Sequence, residues 1–264
     1  MNSEYIEYMN KRKRDVQCEN LCAAYVDKYF YSRLPTMTYE RVDGSLNEES
    51  KQRQIVGEDV VLRDANGNVR CVIDEKAKIQ GHLNDVLTYP SFEIIRRPIP
   101  DSRHTLGWFS HPVSNTTHYA MISIGTNREV APYQEYTLNE SDITCAVYGL
   151  ICKKDLVAWV KEQTFKSIEE ITNDAYQLFH EWKTNPQRQK WGAVKVYRQD
   201  WRGKYIHLKL SATNDNQPVN LVIRRDVLRN DGLIKEYYID EKRAVKYKRP
   251  TTFTIMGEKL VAMA

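Results

Sequence analysis

The sequence lacks the short signatures that mark several large enzyme classes. None of G-x-G-x-x-G, the Walker A pattern, G-x-S-x-G or H-E-x-x-H occurs in its 264 residues. This disfavours nucleotide-cofactor enzymes, serine hydrolases and zincins, whose chemistry depends on those spacings. Cysteine is sparse, with Cys18, Cys22, Cys71, Cys145 and Cys152 only. Cys18 and Cys22 share a helix face, but no second Cys or His pair at finger spacing completes a zinc site. An odd set of free thiols suits a reducing compartment. The start of the chain has no apolar core of signal-peptide length, and no apolar stretch reaches membrane-spanning length. The expectation is a cytoplasmic protein with no membrane partner. Internal repeats and low-complexity linkers are also missing.

Charge of one sign is in short supply too. Lys and Arg number 39 against 35 Asp and Glu, a net charge of +4. That balance does not by itself call for a nucleic-acid partner. Local basic runs at Lys11–Arg14, Arg96–Arg97, Arg224–Arg225 and Lys242–Arg249 can neutralise phosphates, although a solvated face is the commoner meaning of such a run. Hydrophobic residues make up 41% and charged residues 28%, so the chain can bury a core. Tyr outnumbers Phe by 17 to 6, which fits packed surfaces with one wet edge.

The chain reads as helix, strands, helices and strands again. Residues 4–33 form a helix with Val16, Leu21, Ala24, Tyr25, Tyr29 and Phe30 along one stripe, stopped by Pro35. Residues 36–53 are polar and read as loop, with a short strand at Met37–Val42. Strands follow at Asp59–Arg63, Val69–Ile79, Ser91–Arg97, His118–Gly125 and Thr144–Cys152. The last two are nearly continuous apolar runs, as central strands are. Residues 80–90 and 101–106 read as connections. Helices are expected at Lys153–Gln163 and Ser167–Trp182, the second opened by a capping box of Ser167 and Glu170. From Trp191 onward the texture is strand-rich, with a helical turn at Asp226–Arg229. The fold class is therefore α/β or α+β, with a central mixed sheet flanked by helices. Residues 1–188 read as the core. Residues 189–264 read as a strand-rich segment packed on it or forming a small subdomain.

The most informative stretch is Gln54–Gln80. Asn66-Gly67 is a strong hairpin turn signal because both residues tolerate positive φ. Around it lie charges that strand interiors normally avoid: Asp59 on the first strand, and Asp74, Glu75 and Lys76 within the second. Neighbouring strands lie about 5 Å apart, so Asp59 can sit beside Asp74. Alternation puts Asp74, Lys76 and Lys78 on one face. Glu75 falls on the apolar face with Cys71, Ile73, Ala77 and Ile79. It is either buried and paired there, or turned toward Asp74 by a bulge. Two carboxylates and a lysine at one point suit metal-assisted phosphodiester hydrolysis, because Mg²⁺ takes hard oxygen ligands and a lysine can orient water or offset phosphate charge. A salt-bridged exposed hairpin is the plain alternative.

These residues resemble the motif of the restriction-endonuclease-like PD-(D/E)xK nuclease superfamily. Asp59 matches the acid of the first strand. Asp74-Glu75-Lys76 matches the (Asp or Glu)-x-Lys of the second, and Gln54 and Gly57 match the lead-in. Glu58 stands where the motif's name has Pro. The resemblance spans roughly residues 15–165 and implies a restriction-endonuclease-like core. It also implies Mg²⁺ or Mn²⁺ held by Asp59 and Asp74, DNA as the partner, and catalysis by Asp59, Asp74, Glu75 and Lys76. Gln54 and Glu93 would support them. A homodimer is a further expectation, since cutting both strands calls for two sites. The alternative within the same fold is a non-catalytic DNA-binding or protein-interaction module with a degenerate site.

Overall fold

The computed structural model describes residues 3–44, 46–55, 57–80, 89–96, 105–127, 137–185, 192–211, 218–241, 244–248 and 252–255. The connection expected at 80–90 and the loop at 101–106 fall largely outside them. Arg97 and the side chains of the basic runs at 11–14 and 242–249 are also outside.

Helix α1 (Ser3–Tyr29) leads into strand β1 (Met37–Arg41) through a single 3-10 turn at Tyr31–Arg33. The buried stripe of α1 is Cys22, Tyr25, Val26 and Tyr29, continued by Phe30. It is rotated from the expected one: Val16 is 44% exposed and Ala24 faces solvent. The spacing 22, 25, 26, 29 is the regular one-face pattern, and Cys22 takes part as a small apolar side chain. The polar stretch read as loop contains helix α2 (Glu48–Ile55). Asn47 opens it by accepting the Ser50 N–H on Oδ1 at 2.8 Å. Glu48 and Glu49 occupy the first turn and Arg53 the last, matching the helix dipole.

Strands β2 (Val60–Asp64) and β3 (Val69–Gln80) form the expected hairpin. β4 (Ser91–Arg96) and β5 (Thr105–Leu106) come next, then β6 (His118–Thr126) and β7 (Ile143–Cys152). Helices α3 (Lys153–Thr164) and α4 (Ile168–Thr184) follow, with the Ser167–Glu170 capping box formed in both directions. The remaining elements are β8 (Ala193–Asp200), β9 (Gly203–Leu210), β10 (Val219–Ile223), α5 (Arg225–Asn230), β11 (Ile234–Ile239), β12 (Ala244–Lys248) and β13 (Thr252–Ile255).

The strands make two sheets. The larger runs β1-β2-β3-β6-β7-β11-β12-β13, and the smaller β5-β4-β10-β9-β8. Among the described residues of the larger sheet, only β3 and β6 pair in parallel. The chain leaves β3, builds β4 and β5 in the second sheet, and returns to lay β6 beside β3. The strand following the hairpin in the larger sheet is thus β6 and not the Ser91 strand. The C-terminal strands divide: β8–β10 join β4, and β11–β13 extend from β7.

α1 and the Phe30–Leu34 segment cover one face of the larger sheet, over Val60, Leu62, Cys71, Ile73, Ile122 and Tyr148. The other face, with Tyr119, Met121 and Ile151, shares a core with α3, α4 and the inner side of the smaller sheet. The architecture is mixed α/β with a central mixed sheet flanked by helices. Among the described residues no helix is long and apolar enough to cross a membrane.

Candidate functional site

The turn of the β2–β3 hairpin is fastened by Asp64, whose Oδ1 accepts the N–H groups of Asn66 and Asn68, each at 2.9 Å. Gly67 takes φ +80°, which a residue with a Cβ resists. The pairing runs Leu62↔Cys71, Val61↔Val72 and Val60↔Ile73, and continues with the Asp59 N–H donating to the Ile73 carbonyl at 2.9 Å. Asp59 therefore lies beside Asp74 at the end of the ladder. Its Oδ2 accepts the Glu75 N–H at 2.7 Å.

Alternation then separates Asp74, Glu75 and Lys76 on β3. The β3–β6 register is unbroken from Ile73 to Gln80, so no bulge turns Glu75. Its carboxylate lies on the α1 side, taking the Tyr31 hydroxyl on Oε1 at 2.7 Å and Arg41 Nη1 on Oε2 at 2.8 Å. Tyr148 meets the Tyr31 hydroxyl at 2.8 Å, and Arg41 also grips Asp27. Glu75 is the buried and paired carboxylate of the two alternatives. Burial lifts its pKa, with Arg41 opposing the rise.

Asp74 and Lys76 project to the opposite side, between the two sheets. Asp74 is fully buried. Lys76 Nζ reaches its Oδ1 at 2.6 Å, while Oδ2 has no partner among the described residues. Burial pushes the Asp74 carboxyl well above the ordinary range. Lys76 opposes the rise, and the neighbouring Asp59 carboxylate adds to it. Gly57 roofs the free oxygen: at φ +87°, a Cβ there would lie 3.3 Å from Asp74 Oδ2. Its carbonyl takes the Thr116 hydroxyl at 2.7 Å.

Lys76 keeps 38% side-chain exposure. Burial pulls its pKa down, but Asp74 and Asp59 outweigh that, and the ammonium stays charged. The indole of Trp108 sits against it, with Nζ 4.7 Å from the ring centroid. Trp108 also meets Tyr119 at 5.0 Å between centroids, and Phe92 and Phe109 close round Tyr119 at 5.5 and 5.7 Å.

Glu93, on β4, approaches from the second sheet. Its pKa is raised by burial and lowered in part by Arg96 and Lys76, and its Oε1 makes no hydrogen bond among the described residues. Gln54 is exposed on α2, and only its carbonyl contributes, accepting the Gly57 N–H at 3.0 Å. Glu58 is tied away from the site, with Arg53 Nε at 3.0 Å and Asn115 Nδ2 at 2.9 Å.

Two residues of this cleft carry no mark in the sequence. Tyr119 is the register partner of Asp74 across the parallel β3–β6 pair, and its buried hydroxyl makes no hydrogen bond among the described residues. Lys153 opens α3, its N–H bound to the Thr117 carbonyl at 2.9 Å. Burial lowers its pKa against the pull of Asp74. The signal for both would have been the pairing of β3 with β6, which spans a 37-residue excursion from Gln80 to His118.

No family model, curated protein or solved structure matches the chain. The chemistry must therefore be argued from the cleft itself. Among the described residues no three Asp, Glu, His or Cys side chains converge as a full metal cage. Mg²⁺ does not need one: it is commonly held by one or two carboxylates, with waters and phosphate oxygens filling the octahedron. The orphaned Asp74 Oδ2 beside Asp59 fits that donor set. A buried acceptor with no donor is costly unless a cation or proton completes it.

Proposed function

We propose that this chain is a metal-dependent nuclease that hydrolyses DNA phosphodiester bonds, with a restriction-endonuclease-like site on the β2–β3 hairpin. The observation that carries the reading is the side-by-side placement of Asp59 and Asp74, with Lys76 at 2.6 Å and Asp74 Oδ2 unpartnered. Mg²⁺ or Mn²⁺ held by Asp59 and Asp74 would polarise the phosphate and make bound water more acidic. Lys76 is kept charged, so its role is to hold the attacking water and offset phosphate charge; it is not a base. Asp74 ligates as the carboxylate, the form that Lys76 favours against the cost of burial. Asp59 is fixed for its part by the Glu75 main chain, which is how Glu75 supports the site while its side chain holds Tyr31 and Arg41. Glu93 and Lys153 set the charge around Lys76 and Asp74. Cutting both strands of a duplex would use two copies of the chain.

The test is plasmid nicking with Mg²⁺ or Mn²⁺, with chelator as control. The wild type is expected to nick. Asp74→Asn and Lys76→Ala are expected to lose at least about a hundredfold in rate, in line with the loss of a charge-stabilising group, while remaining folded. A second reading, a non-catalytic DNA-binding or protein-interaction module, is favoured by one observation: Asp74 is wholly closed off by Gly57, Lys76 and Tyr119. DNA binding without cleavage by either cation would select it.

A further inference from the structure

Two aromatic rings stand in solvent at the smaller sheet and the end of α3. Trp201 is 88% exposed and Phe165 is 81% exposed. Trp201 and Arg202 form the two-residue tip between β8 and β9, closed by Asp200 opposite Gly203. Phe165 ends α3 with φ 57°, a left-handed conformation that a bulky side chain adopts only against steric cost. Neither ring joins a core cluster. Each carries a guanidinium instead: Arg202 lies 4.8 Å from the Trp201 centroid and Arg198 lies 5.1 Å from that of Phe165.

Arg198, which lies against Phe165, sits on β8 three residues before Trp201, at most about 10 Å along the strand. Its Nε–H donates to the Gln163 carbonyl, a neutral acceptor that leaves its charge available. Lys204 is exposed two residues beyond the tip. Arg202 is shared with Asp226 at 2.8 Å, with 51% and 28% side-chain exposure; such a wet ion pair is weak and gives way to a phosphate. Exposed aromatic faces beside cations that are unpaired or only weakly paired are what an unpaired nucleic-acid strand needs: bases stack on the rings and phosphates meet the cations. In duplex DNA the base faces are already stacked on each other, and a neutral peptide would make no use of the charge.

We propose that the face formed by Phe165, Arg198, Trp201, Arg202 and Lys204 binds single-stranded DNA. The binding is independent of hydrolysis and stands whether or not the Asp74 cleft cuts.

The experiment measures binding of a short fluorescein-labelled oligothymidylate to the full chain, at low salt and with chelator so that no cleavage occurs. Trp201→Ala and Phe165→Ala are each expected to weaken binding by about fivefold to a hundredfold, the range of one base-stacking contact. Both rings are exposed, so the melting temperature is expected to stay put. Binding should also quench emission in the wild type more than in Trp201→Phe, a variant that keeps an aromatic ring at the tip. A duplex of the same length should be insensitive to either alanine substitution. The proposal is overturned if the oligonucleotide does not bind, if both alanine variants bind within about twofold of wild type, or if duplex binding falls equally. Failure of the wild type to nick with Mg²⁺ or Mn²⁺, with this binding intact, would instead count against the nuclease reading alone.

Discussion

Asp74 and Glu75 are sequence neighbours with opposite physical situations, and their substitution should shift stability in opposite directions. The Asp74 pKa is raised on folding, so between about pH 3.9 and that raised value the native state holds a proton that the unfolded chain releases. Stability from this group is therefore present at low pH and lost as pH rises. Asp74→Asn supplies a permanently neutral isostere. Its melting temperature is expected to match wild type near pH 4 and to gain on it as pH rises from there, while nicking is lost. A pH-independent gap in thermal melts would contradict the assignment. Glu75→Gln removes the carboxylate contact to Arg41, which keeps Asp27 as its partner. Losing a charge-assisted hydrogen bond costs about 1.5–3 kcal/mol, or roughly 3–12 °C in a chain of this size. Calorimetry should show that fall, and the nicking rate per folded molecule measured well below the transition should survive. The alternation of β3 made this division legible. The pairing of Glu75 with Tyr31 and Arg41 was not, because Tyr31 lies 44 residues away beyond the end of α1.

At the scale of elements, local chemistry read true where one residue type dictates one conformation. Asn66-Gly67 closed its hairpin, and Ser167 with Glu170 capped α4. The apolar runs of β6 and β7 became central strands. Reading failed where tertiary contacts decide. The polar α2 owes its place to Arg53, which bonds Glu40 at 2.9 Å and Glu58 at 3.0 Å, pairs that no periodicity announces. β4 has a strand-like sequence, but nothing in it names its sheet. Gly107 shows how that placement shapes the cleft. It donates to the Ile94 carbonyl at 2.8 Å, and a Cβ at this position would fall 2.4 Å from the Glu93 carbonyl oxygen. Only glycine lets the 107–109 segment lie this close to β4 and deliver Trp108 to Lys76. Gly107→Ala is expected to cost about 1–3 kcal/mol, the usual range for forced overpacking, and to reduce nicking. Trp108→Ala removes the indole without the backbone clash and serves as the comparison. A Gly107→Ala protein that melts and cuts like wild type would show that the segment is not held this tightly.

The cleft exists only because the two sheets are built together, and the chain order makes that closure depend on its last third. β7 would present an open edge without β11, which pairs with it from Ile151↔Ile234 to Ala146↔Ile239. β4, which carries Glu93, would lose β10 and its pairing at Phe92↔Leu221. The shared core would lose Ile206, Leu208, Leu210, Val219, Leu221 and Ile223, all buried. A fragment ending at residue 188 would keep the entire β2–β3 hairpin and the Asp59, Asp74 and Lys76 side chains, yet leave α3 and α4 without the β9 and β10 side chains they pack on. Exposed apolar edges of this kind lead to aggregation. Expression of residues 1–188 is therefore expected to give insoluble protein, or a compact state without a cooperative melt, and no nicking. Co-expression with residues 189–264 as a separate chain should restore solubility if strand pairing across the cut is sufficient. A soluble 1–188 fragment with a sharp thermal transition would mean that the first core folds without β8–β13, and that the last third of the chain is not needed to close the cleft.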